Sequence, residues 1–134
     1  MSLKLCLAGA TGWAGSELAR AIAAADDLAL VAAVARRHAG QRLGDVLGER
    51  RLAAPIFASA AEALAQPCDV FVEYTHPDAA KANILAALAH DAHVVVGTSG
   101  LTDEDYAQID AVAREHQRGV LACGNFALTA VLLI

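Results

Sequence analysis

The sequence predicts an α/β fold, a doubly wound parallel sheet of about six strands with helices on both faces. Three observations predict it. Short apolar runs alternate with longer helical stretches along the chain, and that alternation builds a parallel sheet covered on both sides. A glycine loop stands at the first strand-to-helix junction. The 134 residues are the size of one domain, large enough for a hydrophobic core.

The elements follow in order. "LKLCLA" (3–8) is an apolar run that stops at Gly9 and reads as a buried strand. Residues 13–27 have helix composition. "LALVAAVA" (28–35) reads as the second strand, and the glycine-rich polar stretch 36–55 as a long connection. "IFA" (56–58) is a short strand candidate. After it, Ser59 and Glu62 have capping-box spacing before a helix. "CDVFVEYT" (68–75) is rich in β-branched and aromatic residues and reads as a strand broken by His76-Pro77. Residues 78–91 are helical, with Ile84, Leu85 and Leu88 on one face. "AHVVVGT" (92–98) is a strand ending at glycine. Thr102 caps the next helix, whose acidic first turn complements the helix dipole and whose predicted stop is Arg118-Gly119. "VLAC" (120–123) is the last strand.

Composition narrows the function classes. The net charge of −5 argues against non-specific binding to nucleic acid or to an anionic membrane. No apolar run reaches the 18 or so residues of a membrane span, and the opening residues do not read as a secretory signal. Cys6, Cys68 and Cys123 are scattered, with no CxxC pair and no metal-ligand spacing. They read as thiols of a reducing, cytoplasmic compartment, with a disulfide as the alternative.

"GATGWAG" places Gly9, Gly12 and Gly15 between the first strand and the first helix. A tight turn, close backbone approach to a pyrophosphate and close helix packing each require a residue without Cβ. The helix N-terminus then binds phosphate through its N–H groups. This is the Rossmann-like reading, and a purely structural turn is the alternative. No Gly-Lys-Ser/Thr follows, so the loop is not a P-loop. A dinucleotide fold usually carries an acid at the end of its second strand. Here the residues are Ala35, Arg36 and Arg37. Two guanidinium groups without a carboxylate point to the 2′-phosphate of NADP(H), with NAD(H) as the lesser possibility, unless the arginines simply begin a solvated loop.

"EYTHP" (73–77), "GTSG" (97–100) and "GNF" (124–126) fall at carboxyl ends of predicted strands, the edge where open α/β sheets bind ligands. Glu73 reads as a general base or, more plainly, as a solvated carboxylate at a strand end. The histidines, His76 included, read as surface residues. Cys123 reads as a nucleophile or as a small buried apolar residue.

Taken together and in this order, these segments resemble the N-terminal half of the dihydrodipicolinate reductase family, enzymes of lysine and diaminopimelate synthesis. The resemblance covers essentially the whole chain. It implies that residues Gly9, Ala10, Thr11, Gly12, Trp13 and Ala14 cradle the pyrophosphate, and that Arg36, beside Arg37, meets the 2′-phosphate. It implies that Gly97, Thr98 and Ser99 lie beside the nicotinamide ribose and ring, with Cys123, Gly124, Asn125 and Phe126 at the nicotinamide end. The family transfers hydride from NAD(P)H to a cyclic imine-type dicarboxylate. Its catalytic histidine and lysine lie in a second domain, so no catalytic residue is assigned here. The resemblance also implies a homo-oligomer at full length.

The chain departs from the family at Glu73-Tyr74, where Asp-Phe is common, and after Phe126, where a serine, a glycine and a second asparagine are missing. A related oxidoreductase with the same cofactor half is an alternative, because the glycine loop also resembles that of semialdehyde and acyl-phosphate reductases. A non-catalytic dinucleotide-binding module is another. The expected organisation is a dinucleotide-binding domain over 1–126, with 127–134 opening a helix that leads to an absent substrate domain.

Overall fold

The computed structural model describes residues 2–122. Its elements are β1 (Leu3–Ala8), α1 (Trp13–Ala24), β2 (Leu28–Val34), α2 (Leu43–Leu47), β3 (Ile56–Phe57), α3 (Ala60–Ala63), β4 (Val70–Glu73), α4 (Pro77–Ala89), β5 (His93–Val96), α5 (Asp103–His116) and β6 (Val120–Ala122). The sheet order is β3-β2-β1-β4-β5-β6, and every pairing is parallel. The order reverses between β1 and β4. A crevice opens at the carboxyl ends of the strands at such a reversal, and ligands bind there.

Strand periodicity assigns the two faces. Leu7, Ala33, Ile56 and Val72 pack on one side with α1 and α2. Cys6, Ala8, Phe71, Val94 and Val96 pack on the other with α3, α4 and α5. Helices therefore cover both faces, as the alternation of runs predicts. On α4, Ile84 and Leu88 are buried and Leu85 packs against the same cluster. Burying a side chain of this size contributes roughly 1.5–3 kcal/mol. Among the described residues no helix is long and apolar enough to cross a membrane.

Two expectations change. The connection 36–55 is not structureless: it contains α2, and an antiparallel bridge joins Arg42 to Pro55. Leu43 is fully buried, and Val46 and Leu47 pack beside it against the sheet. Their spacing of three and four residues forms a single turn of apolar stripe, which the surrounding glycines and arginines mask. The stop of α5 is not Gly119. Gln117 takes the left-handed conformation at φ 55°, and the Arg118 N–H donates to the Ala113 carbonyl at 2.9 Å. Gly119 instead donates its N–H to His93 Nδ1 at 2.9 Å and ties β6 to the start of β5.

Candidate functional site

The glycine loop is shaped by two close approaches. Gly9 has φ +86°, and a Cβ there would stand 2.1 Å from the Tyr74 carbonyl oxygen at the end of β4. A Cβ on Gly15 would stand 1.9 Å from the Gly9 carbonyl oxygen. Real carbon–oxygen contacts do not reach such distances, so both positions require glycine. The Gly9 N–H donates to the Val34 carbonyl at 2.9 Å, which anchors the turn to β2.

Gly12 is the N-cap of α1, with no side-chain cap and no acidic residue in the first turn. α5 is the contrast: Thr102 and Asp105 form a complete capping box there, and three acids occupy the first turn. The first N–H groups of any helix lack intrahelical acceptors. At α5 the protein supplies acceptors itself; at α1 no side chain does. An anion at the α1 terminus would meet aligned N–H groups and the positive end of the helix dipole.

A cleft of about 720 Å³ opens beside this terminus. That volume is in the range of small-molecule sites. Gly9, Thr11 and Gly12 line it from the loop, Arg36 and Arg37 from the end of β2, Ser59 from the start of α3, and Tyr74, Thr75, His76 and Asn83 from β4 and α4. Both arginines are exposed, and neither joins an ion pair among the described residues. A second cavity of about 370 Å³ lies between α5 and β6 and holds none of the predicted site residues.

The structure thus brings Gly9, Thr11, Gly12, Arg36 and Arg37 to one cleft. Ala10 is fully buried beneath the loop. Trp13 is 91% exposed and, with exposed Ala14, begins α1 outside the cleft lining. Gly97 and Thr98 are buried just past β5, and Ser99 is exposed. A Cβ on Gly97 would lie 2.2 Å from Tyr74 Cζ, so the tyrosine ring rests on that glycine. Cys123, Gly124, Asn125, Phe126 and the expected helix at 127–134 lie outside the described residues.

Glu73 departs from expectation: it is fully buried rather than solvated. It shares a face of β4 with Phe71, pairs between Ala8 of β1 and Val96 of β5, and both of those neighbours are buried as well. Burial raises its pKa, and hydrogen bonds from Thr75 oppose the rise. The Thr75 N–H donates to Oε1 at 2.9 Å, and the Thr75 hydroxyl donates to the same oxygen. No described group meets hydrogen-bond geometry at Oε2. The Thr98 hydroxyl reaches the main-chain carbonyls of Glu73 and Thr75, both at 3.4 Å. The signal for this burial is the alternation in "VFVEYT", where Phe71 and Glu73 fall on one face of a strand with a neighbour on each side.

Of the cysteines, Cys6 is buried and Cys68 half-buried, and both are free. Burial pushes the Cys6 thiol well up, which keeps it protonated and unreactive. Among the described residues no group of His, Cys, Asp and Glu has the arrangement of a metal site.

Residues 3–126 match the family model described as dihydrodipicolinate reductase, N-terminus. The 4-hydroxy-tetrahydrodipicolinate reductase of Geobacillus kaustophilus is 34% identical over 135 residues, covering 100% of this chain and 51% of that protein. The enzyme of the same name from Thermosynechococcus vestitus is 35% identical, covering 98% of this chain and 49% of its own length. Among solved structures, the dipicolinate-bound dihydrodipicolinate reductase of Paenisporosarcina sp. TG-14 superposes with a TM-score of 0.80 at 26% identity, over 99% of this chain and 51% of that one. The biliverdin reductase of Synechocystis sp. PCC 6803, solved with biliverdin and NADP+, shares the fold at a TM-score of 0.75 and 20% identity, over 90% of this chain and 37% of that one. The chain spans about half the length of the curated relatives it matches. Fold, glycine loop and family match agree, and the chain belongs to the dihydrodipicolinate reductase family, aligned with its N-terminal part.

Proposed function

We propose that this chain is the nucleotide-binding half of an NADPH-preferring reductase that transfers hydride to a cyclic imine-type dicarboxylate in lysine and diaminopimelate synthesis. The observation that carries the reading is a helix N-terminus without a side-chain cap, beside a cleft that also holds Arg36 and Arg37. The names of the relatives supply the reaction class.

In this reading residues 1–126 bind the dinucleotide, and 127–134 begin a helix toward a substrate domain that carries the catalytic groups. The N–H groups after Gly12 hold the pyrophosphate. Arg36, with Arg37 beside it, holds the 2′-phosphate by charge-assisted hydrogen bonds. The end of β2 places no carboxylate there to repel that phosphate, since the residues are Val34, Ala35, Arg36 and Arg37. Gly97, Thr98 and Ser99 border the nicotinamide half, and Cys123 to Phe126 complete its rim. The bound cofactor supplies the hydride. The protein's own contribution is to orient the cofactor and to exclude water from its reactive face.

Titration calorimetry with NADPH and NADH tests the reading. Arg36→Ala should weaken NADPH roughly tenfold or more, the worth of a charge-assisted pair, and leave NADH within about twofold. An equal loss for both cofactors would remove the 2′-phosphate assignment. Absence of binding by either cofactor would remove the nucleotide-binding reading itself.

A further inference from the structure

Thr75 lines the cleft, and Glu73 lies fully buried behind it. A threonine hydroxyl has one proton to give and lone pairs to accept with. Here the proton is directed at Glu73 Oε1, and the Thr75 N–H is directed at the same atom. The same hydroxyl lies 3.5 Å from the His76 carbonyl, also an acceptor, so what it can offer a ligand in the cleft is acceptor capacity. Thr98 fixes the same turn from behind, through the carbonyls of Glu73 and Thr75.

This arrangement does not depend on the charge of Glu73. Ionised, Oε1 accepts; protonated on Oε2, Oε1 still accepts as a carbonyl oxygen. An apolar side chain would suit the setting between Ala8 and Val96 better than a carboxyl group does. A carboxyl group held there, with Oε2 lacking a hydrogen-bond partner among the described residues, has the cost of burial offset by what Oε1 does.

We propose that Glu73 is a positioning residue for ligand binding: it locks Thr75 as a hydrogen-bond acceptor on the cleft wall, and so selects a ligand that presents a donor, a hydroxyl or amide N–H of the nucleotide. The inference rests on the dinucleotide reading of the cleft and adds the polarity that the ligand must show at this wall.

A double-mutant cycle in the full chain tests it, with NADPH affinity from calorimetry as the readout. Glu73→Met fills similar volume and removes the acceptor. It should weaken NADPH by roughly tenfold when Thr75 is present, the value of one hydrogen bond to a polar partner, and by less than about twofold in a Thr75→Val background. Glu73→Gln, which keeps an acceptor oxygen, should restore binding to within about twofold of wild type. A loss of the same size in both Thr75 backgrounds would show a general structural role and overturn the proposal. If Glu73→Met does not fold, Glu73→Gln and Thr75→Val decide alone: a tenfold loss in the first, or no loss in the second, overturns it. Wild type that binds neither NADPH nor NADH would instead remove the reading on which the proposal rests.

Discussion

At the glycine loop the candidate binding groups are backbone N–H groups, and side chains are absent from Gly9 and Gly15 so that loop, helix and strand can close on one another. Across the cleft, at the end of β4, the polar groups are side chains, and buried Glu73 holds Thr75 from behind. The first region works by what glycine lacks, the second by what Glu73, Thr75 and Thr98 hold in place. The contrast teaches how each half fails. A methyl group added at the loop collides with backbone that cannot move aside. A hydroxyl removed at the strand ends costs side-chain hydrogen bonds and leaves the backbone path intact.

Gly15→Ala is the most damaging test of that contrast. Its Cβ would stand 1.9 Å from the Gly9 carbonyl oxygen, and overpacking against backbone costs about 3 kcal/mol or more. Denaturant unfolding should show the loss. Gly40→Ala is the control: it has φ +89° but open space around it, so only the left-handed strain remains, about 1–2 kcal/mol. Gly15 itself has an ordinary helical φ, so a loss there no larger than at Gly40 would mean that close packing does not make glycine necessary at that position.

The second test is the pH dependence that Glu73 imposes. Burial raises its folded pKa above the ordinary carboxylate value. The folded state therefore holds a proton that the unfolded state has released, and stability falls as pH rises. The contribution is fully present below the unfolded pKa and is lost as pH climbs through the folded one, with a ceiling of about 1.4 kcal/mol per pH unit for one proton. Glu73→Gln should flatten this part of the curve. An unchanged slope in chemical denaturation across that range would show that Glu73 does not titrate with folding.

The smallest effect is expected from Thr98→Val, which removes the 3.4 Å contacts to the Glu73 and Thr75 carbonyls while keeping the side-chain shape. Long hydrogen bonds of this kind contribute no more than about 1 kcal/mol. Thermal unfolding should fall by a few degrees or less. A loss as large as that of Gly15→Ala would erase the distinction between the glycine loop and the strand ends.

The glycine loop was legible in the sequence because its constraints are local. Gly9, Gly12 and Gly15 mark a turn, an uncapped helix start and a close approach within seven residues, and glycine reports such needs directly. The same holds for Arg36 and Arg37, which follow an apolar run at a strand end. The cap at Thr102 was legible too, since a threonine stands there just before an acidic first turn. Glu73 was not. A charged residue near a strand end has solvent as its ordinary surroundings, and only pairing with β1 and β5 and cover from the α4 side bury it. The helix in the 36–55 connection was hidden too, because a single turn with few apolar residues carries little periodic signal and gains its order from the sheet beneath it.

The sequence by itself determined the alternation of strands and helices, the loop that turns α1 toward the cleft, and the arginines in place of an acid at the end of β2. Each is written in short-range chemistry: apolar periodicity, absence of Cβ, kind of charge. The tertiary structure alone decided that the order reverses between β1 and β4, that Tyr74 rests on Gly97, and that Glu73 points inward to hold Thr75. These depend on residues distant in the chain meeting across a sheet, and a side chain's burial and hydrogen-bond partners exist only once those meetings have been made.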